Sequence, residues 1–293
     1  MRKTIDLPTP QVFFDVNYES ELEALKDDFI ARAPEYEGLL FESDPIVKML
    51  EVAAYKVVEL KNHANEKYKQ MMLKFATGNN LENIAANTGV TRLVIDEGDP
   101  NANPPIPPTY ESDDDLRERA FNAPERFTVA GPSGAYEQLA KDADGRVKDA
   151  VCLPHTPEAG SVTIVITSRT GSVDESLKTS VDDYLSADER RPVNDKVIVS
   201  AARAKAVTIA LGITYYTNSD FAKVNREIRT AFNALFESRK IGEPMTLNEI
   251  HHVARVNGVQ NVKITTPSAD ISAERDQYLT LKELKITELG QHE

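Results

Sequence analysis

Between Pro45 and Thr77 the chain runs without glycine or proline, and apolar or small side chains return at Ile46, Leu50, Ala53, Val57, Leu60, Ala64, Tyr68, Met71 and Phe75. Every step in that series is three or four residues, the spacing that lays side chains along one seam of an α-helix. Ser43-Asp44-Pro45 marks the start. Asp44 offers a carboxylate to free helix amides, and Pro45 lacks the N–H that the first helical position would leave unpaired. At 1.5 Å per residue such a helix would span roughly 50 Å, against ~30 Å for a small domain. Part of the seam therefore needs cover from beyond its own domain. Other helices of this chain could supply it, or a helix bundle shared with other chains.

The rest of the first third is also read as helical. Leu81 to Asn87 forms a short helix with Asn80 as its N-cap and Gly89 as a left-handed stop. Pro100, Pro104, Pro105, Pro107 and Pro108 then exclude regular helix or central strand, so Asp96 to Tyr110 is expected to be an extended hinge or strap. Ser112 caps a helix with an acidic first turn, Asp113 to Asp115, suited to the positive helix end, which runs to about Asn122.

After Gly131 the pattern changes. A helix from Pro132 to Ala143 is followed by β-rich runs Val147–Leu153 and Ser161–Thr167, helix Val173–Ser186 and strand Val197–Ala202. A second series follows: strand Lys205–Tyr215, helices Asp220–Ser238 and Thr246–Asn257, strand Val259–Thr265 and an alternating run Tyr278–Leu289. The expected fold class is α+β: an N-terminal helical arm with one long helix, then two small α+β modules. The boundaries are 1–95 for the arm, 96–131 for the strap and connecting helix, 132–203 for the first module and 204–293 for the second module and tail.

Composition narrows the function. The chain has 34 basic and 47 acidic side chains among 293 residues, a net charge of −13, with no basic cluster to neutralise a phosphate backbone. Direct nucleic-acid binding is not expected. No stretch approaches the ~20 apolar residues needed to cross a bilayer, and the opening MRKTIDLPTPQ lacks the apolar core of a signal peptide. Cys152 is the single cysteine. It cannot form an intrachain disulfide, and its place in a β-rich run predicts a buried, inert thiol.

No active site assembles. Phosphate-binding loops, dinucleotide fingerprints and H-E-x-x-H are absent. Of His63, His155, His251, His252 and His292, only His251 and His252 are neighbours, and adjacent helical residues point ~100° apart. Gly131-Pro132-Ser133-Gly134 fits a helix start better than a nucleophile turn. Acid pairs such as Glu111 with Asp114, or Asp182 with Asp183, are what chance gives in so acidic a chain. Arg190-Arg191-Pro192 reads as a helix end with cations favoured by the dipole. Catalytic residues, cofactors and metals are not expected.

Several segments, in order, resemble the baseplate J-like family of contractile-tailed phages and related injection particles. These are Leu40-Phe41-Glu42-Ser43-Asp44-Pro45 leading through Leu50 to Tyr55, Gly78 to Ala85 ending in Gly89-Val90-Thr91-Arg92, and Glu111 to Arg119. Thr128 to Pro132 with Ala135-Tyr136, Asp188 to Val193, and Gly258 to Val262 complete the set. The likeness covers roughly residues 38 to 271, and its specificity lies in the order of the pieces. The resemblance implies a structural wedge subunit around the central hub. It also implies that a second copy and neighbouring wedge proteins of the same tail share a helical bundle, while the modules link wedges into a ring. The subunit would be assembled in the host cytoplasm and kept in the virion baseplate. The seam Ile46 to Phe75 is then the natural partner-helix interface. Competing roles are a particle-borne cell-wall hydrolase and an assembly chaperone.

Overall fold

The computed structural model describes residues 10–127, 132–187, 190, 192 and 194–292. The chain forms two compact units, Met1–Arg92 with Ser112–Ala123, and Leu93–Glu111 with Pro124–Glu293. The fold is α+β with a helical N-terminal region.

The first unit is helical. Its α1 (Tyr18–Arg32) starts on Asn17, whose side chain accepts from the amides of Glu19 and Ser20. The long helix α2 spans Pro45–Gln70, 26 residues, so it stops seven positions short of the expected end and is about 39 Å long at 1.5 Å per residue. Two features end it. The amides of Met71 and Met72 bond back to the carbonyls of Tyr68 and Lys69, tightening the last turn. Arg117 then donates to the carbonyls of Leu73 (2.9 Å) and Ala76 (2.7 Å), holding the chain in a non-helical fold-back. Asp44 sits at the N-cap without a cap bond; its carboxylate accepts from the Phe41 amide instead.

Helix α3 spans Gly78–Ala86, starting earlier than expected, with Thr77 rather than Asn80 at the N-cap. The Asn80 side chain reaches Gln70, the last residue of α2. Gly89 does adopt the left-handed conformation, φ 68°. Helix α4, Asp113–Asn122, is capped as read: the Ser112 hydroxyl accepts from the Asp115 amide. Leu81, Ala85, Val90, Leu116 and Ala120 from α3, α4 and the turn between form one apolar core. Asp113 ties α4 to α3 by accepting from the Gly78 amide (2.9 Å) and from Arg92 (2.6 Å), which also reaches Glu82. These donors, the Gly78 amide first, hold the Asp113 carboxyl below its ordinary value.

In the second unit the proline-rich stretch is a hairpin and not a strap. Strand β1 (Val94–Asp96) pairs antiparallel with β2 (Thr109–Tyr110), and Asp99 and Ile106 exchange both backbone bonds at 2.9 Å. The prolines fall where no ladder amide is needed, so they permit a two-stranded ribbon while excluding a central strand. The buried Glu111 carboxylate accepts from the Leu93 amide and closes the neck.

The hairpin leans on Gly145. A Cβ there would lie 2.1 Å from the Val94 carbonyl oxygen, a backbone clash that no rotamer relieves. We expect the exposed tip, residues 100–108, to be nicked by protease in the isolated chain and protected after assembly. Gly145→Ala should displace the hairpin, cost ~1–3 kcal/mol as overpacking does, and accelerate nicking several-fold. Equal cleavage of variant and wild type would show that Gly145 does not seat it.

Helix α5 (Ser133–Ala143) is followed by strands β3 (Val147–Pro154) and β4 (Ser161–Ser168), helix α6 (Glu175–Leu185) and strand β5 (Lys196–Ala201). The sheet order is β3-β4-β5, with β3 antiparallel and β5 parallel to the central β4. Then come β6 (Arg203–Tyr216), α7 (Phe221–Ser238), α8 (Leu247–Ala254), β7 (Val259–Thr266) and β8 (Gln277–His292). Here β6 is central, with β7 antiparallel and β8 parallel to it. The two sheets thus share a pattern, a middle strand with one neighbour of each sense. Two cores match them: Tyr136, Leu139, Ile164, Ile166, Leu177 and Val181 in the first, and Ile209, Leu211, Ile213, Ile228, Phe232 and Ile250 in the second.

Candidate assembly interface

Helix α2 carries all but two of the interface residues expected from the sequence. Its own chain covers one side of it. Val47 and Ala54 are buried, and Leu22 of α1 is buried with them. Lys61 of α2 bonds Glu21 of α1, and the Asn65 amide group brackets the backbone of Phe14, in the segment that leads into α1, accepting at 2.8 Å and donating at 2.9 Å. Phe14 also stands 6.2 Å from the Tyr68 ring.

That covered side is not the seam read from the sequence. At ~100° per residue, Val47, Ala54 and Lys61 fall on a line rotated by roughly 80° from the middle of the seam. The seam is therefore split lengthwise. Leu50, Val57 and Tyr68 are half-buried, as are Ile46 and Ala64, whereas Ala53 is exposed and Leu60 is 67% exposed. Met49 (74%) and Val52 (63%) extend the open apolar side, and Tyr55 (61%) lies beyond them. These three lie outside the narrow line of the sequence-derived seam. A wider apolar arc, counted over the whole helix circumference, includes them.

The last two members leave the set of helical positions. Met71 is the C-cap, exposed, and Phe75 lies past the helix end, half-buried with the Lys74 ammonium 5.5 Å from its ring. Their spacing continues the seam, but the fold-back held by Arg117 takes them off it. Ion pairs Lys48–Glu51 and Lys56–Glu59 line α2 and keep both lysines charged above the ordinary range, chiefly through the hydrogen bond to each glutamate.

The other residues considered for chemistry have structural surroundings. Cys152 is buried, and burial pushes its thiol up. His63 is exposed on α2, His155 lies in the β3–β4 turn, and His251 and His252 end α8. His292 ends β8, and its side chain is outside the described residues. Asp114 pairs with Arg117, and Glu111 closes the hairpin neck. Ser133 opens α5 behind Pro132; Gly131 is outside the described residues. Arg190 donates to the Tyr184 carbonyl at 3.0 Å and stacks 3.7 Å from that ring, sealing the end of α6 as a cation should. Arg191 lies outside the described residues. Among the described residues no group of three or more His, Cys, Asp or Glu could hold a metal ion, and no helix is long and apolar enough to cross a membrane.

Comparison with known proteins gives three consecutive family matches: the baseplate J-like N-terminal domain over residues 42–99, the baseplate J-like central domain over 128–201, and the baseplate J-like protein C-terminal domain over 206–287. Baseplate protein J of Escherichia phage P2 is 31% identical over 294 residues, covering 98% of this chain and 97% of that protein. The cryo-EM structure of the anti-feeding prophage (AFP) baseplate contains a chain aligned at a TM-score of 0.43 and 10% identity. That alignment covers 60% of this chain and 44% of the other, a likeness too loose to carry structural argument.

Proposed function

This chain belongs to the baseplate J-like family, and from that premise we propose that it is a wedge subunit that joins its neighbours into the ring around the central hub of a contractile phage tail. The chain is a structural component of a phage-tail baseplate, located in the virion and associated there with other baseplate proteins, as its near full-length likeness to a phage baseplate protein supports.

The finer part rests on α2. An apolar arc that the chain's own α1 leaves open calls for a helix from elsewhere, because exposed Met49, Val52 and Leu60 on one helix are what a partner surface looks like before it is covered. The partners proposed are a second copy of this chain and a neighbouring wedge protein. The two α+β modules would then link adjacent wedges, with assembly in the host cytoplasm. The reading is non-enzymatic. The net charge of −13 argues against direct contact with nucleic acid.

Two measurements test it. Coexpression with the neighbouring tail genes, followed by mass measurement, should yield a complex containing two copies of this chain. Protein analysis of purified particles should find the chain in the baseplate. Absence from the particle would make it an assembly chaperone instead, and hydrolysis of host wall material by the purified chain would favour the enzyme.

A further inference from the structure

We infer that the two α+β modules work as one rigid body, latched at their junction by the buried carboxylate of Asp149. The inference concerns the modules alone and stands apart from the wedge reading.

Three observations carry it. The first is the strand β4, Ser161–Ser168, which is buried at seven consecutive positions. A sheet covered on one face alternates more and less buried positions, as the neighbouring module's β6 does at 207–210, where buried Val207 and Ile209 alternate with half-buried Thr208 and Ala210. Continuous burial means that both faces of β4 are covered. One face carries Ile164 and Ile166 and packs with α5 and α6 residues in the first module's core. The opposite face carries Val165, beside Val151 of β3, and both pack against Ile241 from the loop that follows α7 in the second module. Ile241 of the second module thus closes the Val151–Val165 patch on that face of the first module's sheet.

The second observation is Asp149 itself. It is 1% exposed, and its Oδ2 accepts from the Ile241 amide at 2.9 Å across the junction. The Lys141 ammonium, on α5, lies 3.4 Å from Oδ1. A carboxylate so deeply buried depends on its donors, and one of them belongs to the other module. Separating the modules would remove that amide and expose Val151, Val165 and Ile241 at once.

The third is the connection. Strand β5 ends at Ala201 and β6 begins at Arg203, so one residue joins the sheets. The Ala202 amide bonds the Ile166 carbonyl in the first module (2.9 Å), and the Arg203 amide bonds the Asp276 carbonyl in the second (2.8 Å). No free backbone is left there to act as a hinge. The loop bearing Ile241 is equally fixed. Gly242 donates to the Gln277 carbonyl at 2.7 Å, Met245 exchanges bonds with Ile271, and buried Arg239 donates to the Pro244 carbonyl and pairs with Glu249. Torque applied to one module reaches the other through this joint without a flexible step.

The test uses the full chain. Dyes on cysteines introduced as Thr179→Cys on α6 and Thr230→Cys on α7 report the distance between modules, Cys152 being buried. Hydrogen exchange reports the Ile241 amide. In the wild-type background the distance distribution should be single and narrow, and the Ile241 amide should be protected like the central strand amides of Ile164 and Ile213. Asp149→Ala should raise exchange at Ile241 by ~100-fold or more through local opening and broaden the distribution. If that variant does not fold, Asp149→Asn, which keeps an oxygen acceptor, should still show faster Ile241 exchange than wild type. A broad distribution or loop-like exchange of Ile241 in the wild type would overturn the rigid body. An alanine variant that folds with both readouts unchanged would remove Asp149 as its latch.

Discussion

Leu60→Asp should abolish complex formation with a second copy and the neighbouring wedge protein while leaving the isolated chain folded. Leu60 is 67% exposed in the middle of α2, so an aspartate there stays solvated in the free subunit. Its effect on folding should lie within ~0.5 kcal/mol, as for ordinary surface changes. In an assembled bundle the same carboxylate would be desolvated among apolar side chains, a penalty of several kcal/mol. A loss of ~2 kcal/mol, the threshold of an interface hot spot, already weakens binding roughly 30-fold.

Ala54→Asp is the matched control. Ala54 has no exposed surface and lies on the α1-facing side, so the charge should disrupt the arm of the isolated chain. Circular dichroism and mass measurement of the coexpressed complex separate the two behaviours. Normal assembly by Leu60→Asp would remove α2 from the interface, and misfolding of that variant alone would place Leu60 in a core the structure does not show.

The contrast between these neighbouring faces shows what the sequence could and could not reveal. Periodicity identified a long helix because a packed α2 must repeat at three and four residues, and Pro45 marked its start. It did not say which part of the apolar arc α1 would take. That choice depends on contacts such as Asn65 with Phe14 and Lys61 with Glu21, separated by 51 and 40 positions. The end of α2 was misplaced for the same reason. Nothing at Met71 or Met72 resembles a stop signal; the break is imposed by Arg117, 44 residues beyond Leu73.

Elsewhere local chemistry sufficed. Ser112 capped its helix as its side chain allows, and the β-rich runs after Val147 became strands because their branched residues have sheet faces to fill. The proline-rich stretch lay between these cases. Its prolines ruled out a central strand, yet the short residues between them could still pair as an edge ribbon. The run Val162 to Ile166, β-branched at every position, reads as a strand, but nothing in it assigns the cover over Val165 to Ile241.

Phe232→Ala should produce the largest loss of stability in the second module. Phe232 is fully buried on α7, one helical step from Ile228 and Phe236, in the cluster that contains Ile209, Leu211 and Ile213 of β6. Removing a buried phenyl ring costs ~3–5 kcal/mol, because transfer energy is lost and the cavity closes only in part. Against a typical total of ~5–15 kcal/mol this leaves a folded but weakened unit. The melting temperature should fall by roughly 6–20 °C for a body of this size. A loss below ~1 kcal/mol in the stability measured by denaturant unfolding would show that neighbouring side chains refill the site.

The arm gives this experiment its second readout. It belongs to the other compact unit, with its own core around Leu81 and Leu116. Well below the lowered melting point, Phe232→Ala should still associate through α2 as wild type does. The two substitutions then act in opposite ways, one removing assembly without stability and the other removing stability without assembly. A bundle formed by the arm requires that pattern, and a bundle that depended on the second module would lose both functions together in Phe232→Ala.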